Sequence, residues 1–220
     1  MAKAPLIVFD LDGTLVDSVP DIAAAVNRTL AARGLPGLSD TAIAGMVGDG
    51  LVALMKRAFA AAGASPDEAA AGDYLADYES NILVDTRLFD GIPEALDALE
   101  QAGWRMAVCT NKPERAARLL LGALGIGGRF QAIGGGDSFP NHKPDPSHLQ
   151  GTIKLADGDP ARALMVGDHT NDMLAAEGSR VQAIFAAWGY GRPGMERGAA
   201  AVAATPQHLA ALSRSLAEQW

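Results

Sequence analysis

The chain has 220 residues, nearly half of them apolar, which is enough for one large domain or for a core domain carrying a smaller insertion. Its 18 Lys and Arg against 26 Asp and Glu leave a formal net charge of −8, which argues against a nucleic-acid backbone as partner, since that grip needs clustered cations. Cys109 is the single cysteine, the first apolar run is too short for a signal peptide, and no stretch approaches the ~18–20 apolar residues of a membrane span, so a soluble chain without intrachain disulfides, in a reducing cytoplasm, is expected.

Met1 to Ala4 lead into the run from Pro5 to Asp10, which is continuously apolar until Asp10 and reads as a strand buried on both faces of a parallel sheet. The next eighty or so residues contain no convincing strand, far more than the ~30 that a strand-helix-strand unit needs, so an insertion is expected there. It reads as a small helical bundle. Asp21 to Ala32 carries Ile22, Val26 and Leu30 at helical spacing and stops at Gly34, and Ser39 can cap a helix reaching toward Val47. After Gly48, Asp49 and Gly50, the pattern predicts helices over Leu51 to Ala62 and over Pro66 to about Leu83. Ser65 would be the cap of the second, with Pro66 at its first position and Asp67 and Glu68 in its first turn.

From there strands and helices alternate. Runs at 105–110, 131–134, 163–168 and 181–185 read as strands, and helical patterns at 93–102, 113–124, 146–155 and 171–177 read as the helices between and after them. The expected fold is α/β, a doubly wound parallel sheet, with residues 1–16 and 86–220 forming the core and 17–85 a helical cap. The Ala-rich tail around Ala199 to Ala204 shows little pattern of its own.

In Asp10-Leu11-Asp12-Gly13-Thr14, two carboxylates sit two residues apart at the carboxyl end of the first strand, so extended geometry points both the same way. Open α/β sheets bind ligands at that end, although an Asp-Gly pair is also ordinary turn chemistry. Thr110 and Asn111 follow a second strand, and Asp168 and Asp172 follow a third, so polar groups from three strands can meet there. Three carboxylates together repel unless their pKa values rise or a cation joins them, and hard oxygen donors suit Mg²⁺. For Asp168 and Asp172 together, helix capping is the weaker explanation. Lys143, on the loop Asn141-His142-Lys143-Pro144-Asp145-Pro146, would be a mobile cation able to approach a bound dianion, though most loop lysines are simply solvated. Thr110 reads equally as a β-branched strand end, and Lys112 as a charge at the start of a helix.

Four segments in order, Phe9-Asp10-Leu11-Asp12-Gly13-Thr14, Cys109-Thr110-Asn111-Lys112-Pro113, Lys143-Pro144-Asp145-Pro146 and Val166-Gly167-Asp168-His169-Thr170-Asn171-Asp172, resemble the motifs of the haloacid dehalogenase superfamily. The resemblance runs from about Pro5 to Tyr190. Residues 17–27 and Gly135-Gly136-Asp137-Ser138 resemble its phosphoglycolate phosphatase subgroup in particular. It implies a Mg²⁺-dependent phosphatase with Asp10 as nucleophile and Asp12 as general acid and base. Asp10 and Asp168 would ligate the metal by side chain and Asp12 by its main-chain carbonyl, with Asp172 supporting from behind. Thr110 and the Asn111 amide would hold phosphate oxygens, and Lys143 would offset charge on Asp10 and the phosphoryl group. The implied substrate is a small phosphate monoester, 2-phosphoglycolate first, with a sugar phosphate, a nucleotide or pyrophosphate as alternatives; the chain would be a monomer or homodimer. Asp12 argues against carbon-halogen hydrolysis, residues 20–27 lack the His and Trp expected of a phosphomutase, and the complete motif set argues against a non-catalytic binding protein. Lys56 and Arg57 are candidate cap contacts for a substrate carboxylate, with a solvated helix face as the plain alternative. His169, where a small hydroxyl residue is usual, reads as a solvent-facing loop residue, and the tail lacks the usual acidic residue near Val202.

Overall fold

A computed structural model of the chain describes residues 3–220, so Met1 and Ala2 of the short leader lie outside it. Its strands are β1 (Leu6–Phe9), β2 (Val16–Asp17), β3 (Arg87–Leu88), β4 (Arg105–Cys109), β5 (Ile133–Gly134), β6 (Ala163–Gly167), β7 (Gln182–Ala186) and β8 (Ala201–Ala203). Its helices are α1 (Val19–Ala31), α2 (Asp40–Ala44), α3 (Leu51–Ala61), α4 (Ala70–Ser80), α5 (Ile92–Gln101), α6 (Glu114–Ala123), α7 (Pro146–Leu155), α8 (Thr170–Gly178) and α9 (Leu209–Ala217). Among the described residues no helix is long and apolar enough to cross a membrane.

Six strands form one parallel sheet in the order β5-β4-β1-β6-β7-β8. The continuous apolar runs are explained by coverage on both faces. Ile7, Phe9, Met106, Val108, Leu164 and Val166 face the layer of α5, α6 and α9, while Leu6, Val8, Ala107, Cys109 and Met165 face α7 and α8. The chain leaves β1 toward β4 and β5, then returns to the other side of β1 for β6, β7 and β8, so β1 is the topological switch point. Pairing of Phe9 with both Val108 and Val166, and of Cys109 with Gly134, sets Asp10, Thr110, Gly135 and Asp168 at one end of the sheet.

The inserted helices α1 to α4 bury their own apolar cluster, including Ile22, Val26, Leu30, Ile43, Phe59 and Tyr74. Two short strands that the apolar pattern does not reveal stand at the rims of the insertion: β2 and β3 pair antiparallel, Val16 with Leu88 and Asp17 with Arg87. Two strand residues leave no room for a two-residue alternation to register. Asp21 accepts hydrogen bonds from the amides of Val84, Asp85 and Thr86, just before β3, tying the start of α1 to the exit of the insertion.

Helix α4 begins at Ala70 rather than Pro66, and Ser65 does not cap it. The reason is Asp67: its carboxylate accepts from the Ala69 amide at 3.0 Å and binds Arg33 at 2.7 and 2.9 Å, which fixes a local turn where the first helical turn was expected. The Ala-rich tail also has structure. β8 pairs parallel with β7, with Ala203 buried, and Leu209 and Leu216 of α9 pack into the cluster of α5. Small side chains suit a short edge strand, but their weak contrast in hydropathy hides the alternation.

Candidate active site

Asp10 lies just past β1, its amide donating to Val166 O at 2.8 Å and its carboxylate accepting from the Leu11 amide at 2.7 Å. Carboxylate oxygens of Asp10, Asp168 and Asp172 fall within 4.8 Å of one another, and all three residues are buried. Lys143 lies beside them. It is not mobile: it is 1 % exposed, its Nζ 3.0 Å from Asp10 and donating at 2.6 Å to both Asp172 and Cys109 O. Burial opposes its charge, but Asp10 and Asp172 outweigh burial and raise its pKa. Burial and then the charges of Asp10 and Asp172 hold the Asp168 carboxyl well above its usual range. Burial pushes Asp172 up to about 7, against the pull of Lys143.

Asp168 accepts from Thr14 Oγ1 at 3.0 Å and the Tyr190 amide at 2.8 Å. Asp172 accepts from the His169 amide at 3.0 Å, and His169 Nδ1 accepts in return from Asn171, capping α8. The His169 ring is half-buried, not solvent-facing, because it packs beneath Gly48 of the insertion. Close approach explains two glycines here. Gly13 has φ +86° and a Cβ there would clash with Asp168, while a Cβ on Gly136 would run into the backbone of Asn111.

Three buried carboxylates against one ammonium leave an excess of negative charge in a buried cleft, and the donors are all hard oxygens. That combination fits a divalent cation such as Mg²⁺ or Ca²⁺ better than a soft metal.

Asp12 does not join this cluster. It and Asp10 line the same cleft, but its two oxygens each lie 2.9 Å from Lys112 Nζ, and Ser18 Oγ donates to it at 2.6 Å. Lys112 is thus no mere charge at a helix start; it is buried beneath the insertion. Thr110 is buried, with its Oγ1 accepting from the Lys112 amide at 3.2 Å. Asn111 Nδ2 donates to Gly48 O at 2.9 Å and Lys143 O at 2.8 Å, and Asn171 Nδ2 donates to Asp49 at 2.6 Å. These two asparagines clasp the Gly48-Asp49 loop of the insertion onto the core. In the sequence, Gly48 to Gly50 signals only a turn, and nothing local marks Asn171 or Tyr78 as partners of distant groups.

Lys56 and Arg57 lie outside the cleft. Both are exposed, and Arg57 is engaged by Asp49 and by Met46 O. The helical phase of α3 instead turns Leu51 and Leu54 inward, and with Ile22, Val47, Tyr74 and Tyr78 they roof a cavity of about 50 Å³ floored by Asp10, Asp12, Thr110, Asn111 and Lys112.

Buried His148 accepts from the Lys143 amide at 3.1 Å through Nδ1, fixing that loop. Burial, then the charge of Lys143, push its pKa down to about 4, whereas the unfolded chain protonates near the ordinary value of 6.5. The unfolded state therefore binds more protons between these values, and stability present above pH 6.5 is lost as pH falls toward 4. Asp168 and Asp172, raised, act in the opposite sense, so the test is a difference. Metal-free wild-type protein should lose more Tm between pH 6.5 and 4 than His148→Asn; parallel curves would exclude this role.

The family model for haloacid dehalogenase-like hydrolases matches residues 7–186. A phosphoglycolate phosphatase of Agrobacterium fabrum is 43 % identical over 191 residues, spanning 85 % of this chain and 82 % of that protein. Phosphoglycolate phosphatase 1 of Pseudomonas aeruginosa is 40 % identical over 196 residues, spanning 86 % and 72 %. Among solved structures, one described as a predicted phosphoglycolate phosphatase from Haemophilus somnus superposes with TM-score 0.88 at 30 % identity, covering 97 % of this chain and 99 % of that one.

Proposed function

The chain belongs to the haloacid dehalogenase-like hydrolase family and is a phosphoric monoester hydrolase, and we propose that it releases phosphate from 2-phosphoglycolate through an aspartyl phosphate on Asp10. The observation that carries this reading is the buried cluster of Asp10, Asp168, Asp172 and Lys143, of which Asp10 lines a small cavity under the inserted helices. On the same reading, residues 17–85 are a cap over a core of residues 1–16 and 86–220.

An Asp10 oxygen attacks phosphorus, and the bond to the leaving oxygen breaks as the Asp12 carboxyl gives it a proton. Asp12, now a carboxylate, takes a proton from water whose oxygen attacks the same phosphorus, and the bond to Asp10 breaks to give inorganic phosphate. Thr110 Oγ1 and the Asn111 amide hold phosphoryl oxygens, and Lys143 Nζ offsets charge on Asp10 and the phosphoryl group. Asp10, Asp168 and the Asp12 carbonyl, with Asp172 behind, would hold Mg²⁺, which would supply the positive charge that lets one anion approach another.

The relatives support the choice of substrate: proteins named phosphoglycolate phosphatase are 40–43 % identical over most of the chain. The test is kcat/KM for 2-phosphoglycolate, a hexose phosphate, a nucleoside monophosphate and pyrophosphate, each with Mg²⁺ and with EDTA. 2-Phosphoglycolate should rank first, and EDTA should abolish turnover until Mg²⁺ is restored. A hexose phosphate ranking first would overturn the substrate, and undiminished turnover in metal-free protein would overturn the metal.

A further inference from the structure

Lys112 is the one cation among the described residues lining the cavity, and its side chain is 5 % exposed. Two of its three ammonium hydrogens are accounted for by the oxygens of Asp12, each 2.9 Å away. The head group also sits 4.5 Å from the centre of the Tyr78 ring, a cation-π contact. Tyr78 lines the cavity and is 1 % exposed, yet its hydroxyl has no hydrogen-bond partner. A buried hydroxyl left unpaired is costly unless a ligand engages it. The rest of the roof is apolar save for the Tyr74 hydroxyl, and Lys143 is occupied by Asp10, Asp172 and Cys109 O.

A substrate seated with its phosphoryl group at Asp10 has its remainder in this cavity, where an anionic end would meet one cation. Resting on the reading above, we infer that Lys112, with the Tyr78 hydroxyl as second donor, receives the substrate's carboxylate. Selectivity for carboxylate-bearing esters then arises at this end of the cavity, because an ester without a carboxylate leaves the third ammonium hydrogen of Lys112 and the Tyr78 hydroxyl unmatched.

The probes are 2-phosphoglycolate and ethyl phosphate, which has the same two-carbon chain without the carboxylate. In the wild type the kcat/KM ratio between them should be about 10²-fold or more, the scale of removing one partner from a buried charge pair. Lys112→Met should bring that ratio toward unity, with KM for 2-phosphoglycolate rising far more than KM for ethyl phosphate, and Lys112→Arg should restore part of the preference. Tyr78→Phe should lower the ratio several-fold while its Tm stays level or rises, since the lost hydroxyl had no partner; an unchanged ratio would remove Tyr78 from the receptor. A second readout avoids turnover. By calorimetry on Asp10→Asn protein, adding Lys112→Met should weaken 2-phosphoglycolate about 10²-fold while leaving inorganic phosphate binding within a factor of a few. Two failures are distinguishable. A wild type that does not prefer 2-phosphoglycolate over ethyl phosphate overturns the substrate reading, whereas a wild type that prefers it and a Lys112→Met protein that keeps the full preference overturns the role of Lys112 alone.

Discussion

Asp10→Asn protein, saturated with Mg²⁺, should turn over 2-phosphoglycolate at least about 10⁴-fold more slowly than wild type, because an amide oxygen is too weak a nucleophile to form the acyl phosphate. The fold should not suffer. The Asn oxygen can still accept from the Leu11 amide, where Asp10 accepts at 2.7 Å. Removing one of three crowded anions also relieves the repulsion that raises Asp168. The metal-free variant should therefore keep an unchanged circular dichroism spectrum, since relief at Asp168 offsets the loss of one of the two carboxylates paired with Lys143 and Asp172 remains at 2.6 Å. Retention of a tenth of wild-type kcat would show that Asp10 is not the nucleophile.

Lys143→Met should strike both activity and stability. The ammonium is the single protein cation among Asp10, Asp168 and Asp172, and it is almost completely buried. Removing one partner of a buried ion pair costs about 3–5 kcal/mol, because the charges left behind have neither water nor a counter-ion. For a chain of this size, at about 2–4 °C per kcal/mol, that lowers Tm by roughly 6–20 °C. Met keeps the length and most of the volume of the stem, so the loss reports charge rather than a cavity. Added Mg²⁺ should recover more Tm in the variant than in wild type, since it would supply the only positive charge remaining. Activity should fall by about 10²–10³-fold even with metal, the scale of removing one preorganised electrostatic group from the transferring phosphoryl. A Tm within 2 °C of wild type in metal-free buffer, measured by scanning calorimetry, would contradict the assignment.

The α/β core was legible because its strands are covered on both faces. Burial of both Ile7 and Val8, on opposite sides of β1, requires an unbroken apolar run, and the run ends where the sheet does, at Asp10. The insertion was legible for a related reason: α1 and α3 each bury one stripe, so helical spacing survives in Ile22, Val26 and Leu30 and in Leu51, Leu54 and Met55. The start of α4 was not, since Arg33, more than thirty residues away, decides the turn at Asp67. Nor was β8, whose Ala residues have no contrast to show which side faces the core.

At the candidate site the same division holds. The chain's local order determines which groups reach the end of the sheet: Asp10 after β1, Thr110 and Asn111 after β4, Asp168 and Asp172 after β6, because strand ends and register are local and pairwise properties. Tertiary structure alone decides what each group meets there. Lys143 is a pinned ion-pair partner rather than a free loop cation, Lys112 meets Asp12 across a hundred residues of chain, and Arg57 is turned away to Asp49. A charged side chain's role depends on its burial and its nearest opposite charge, and both are set by contacts between segments far apart in sequence, which no local spacing encodes.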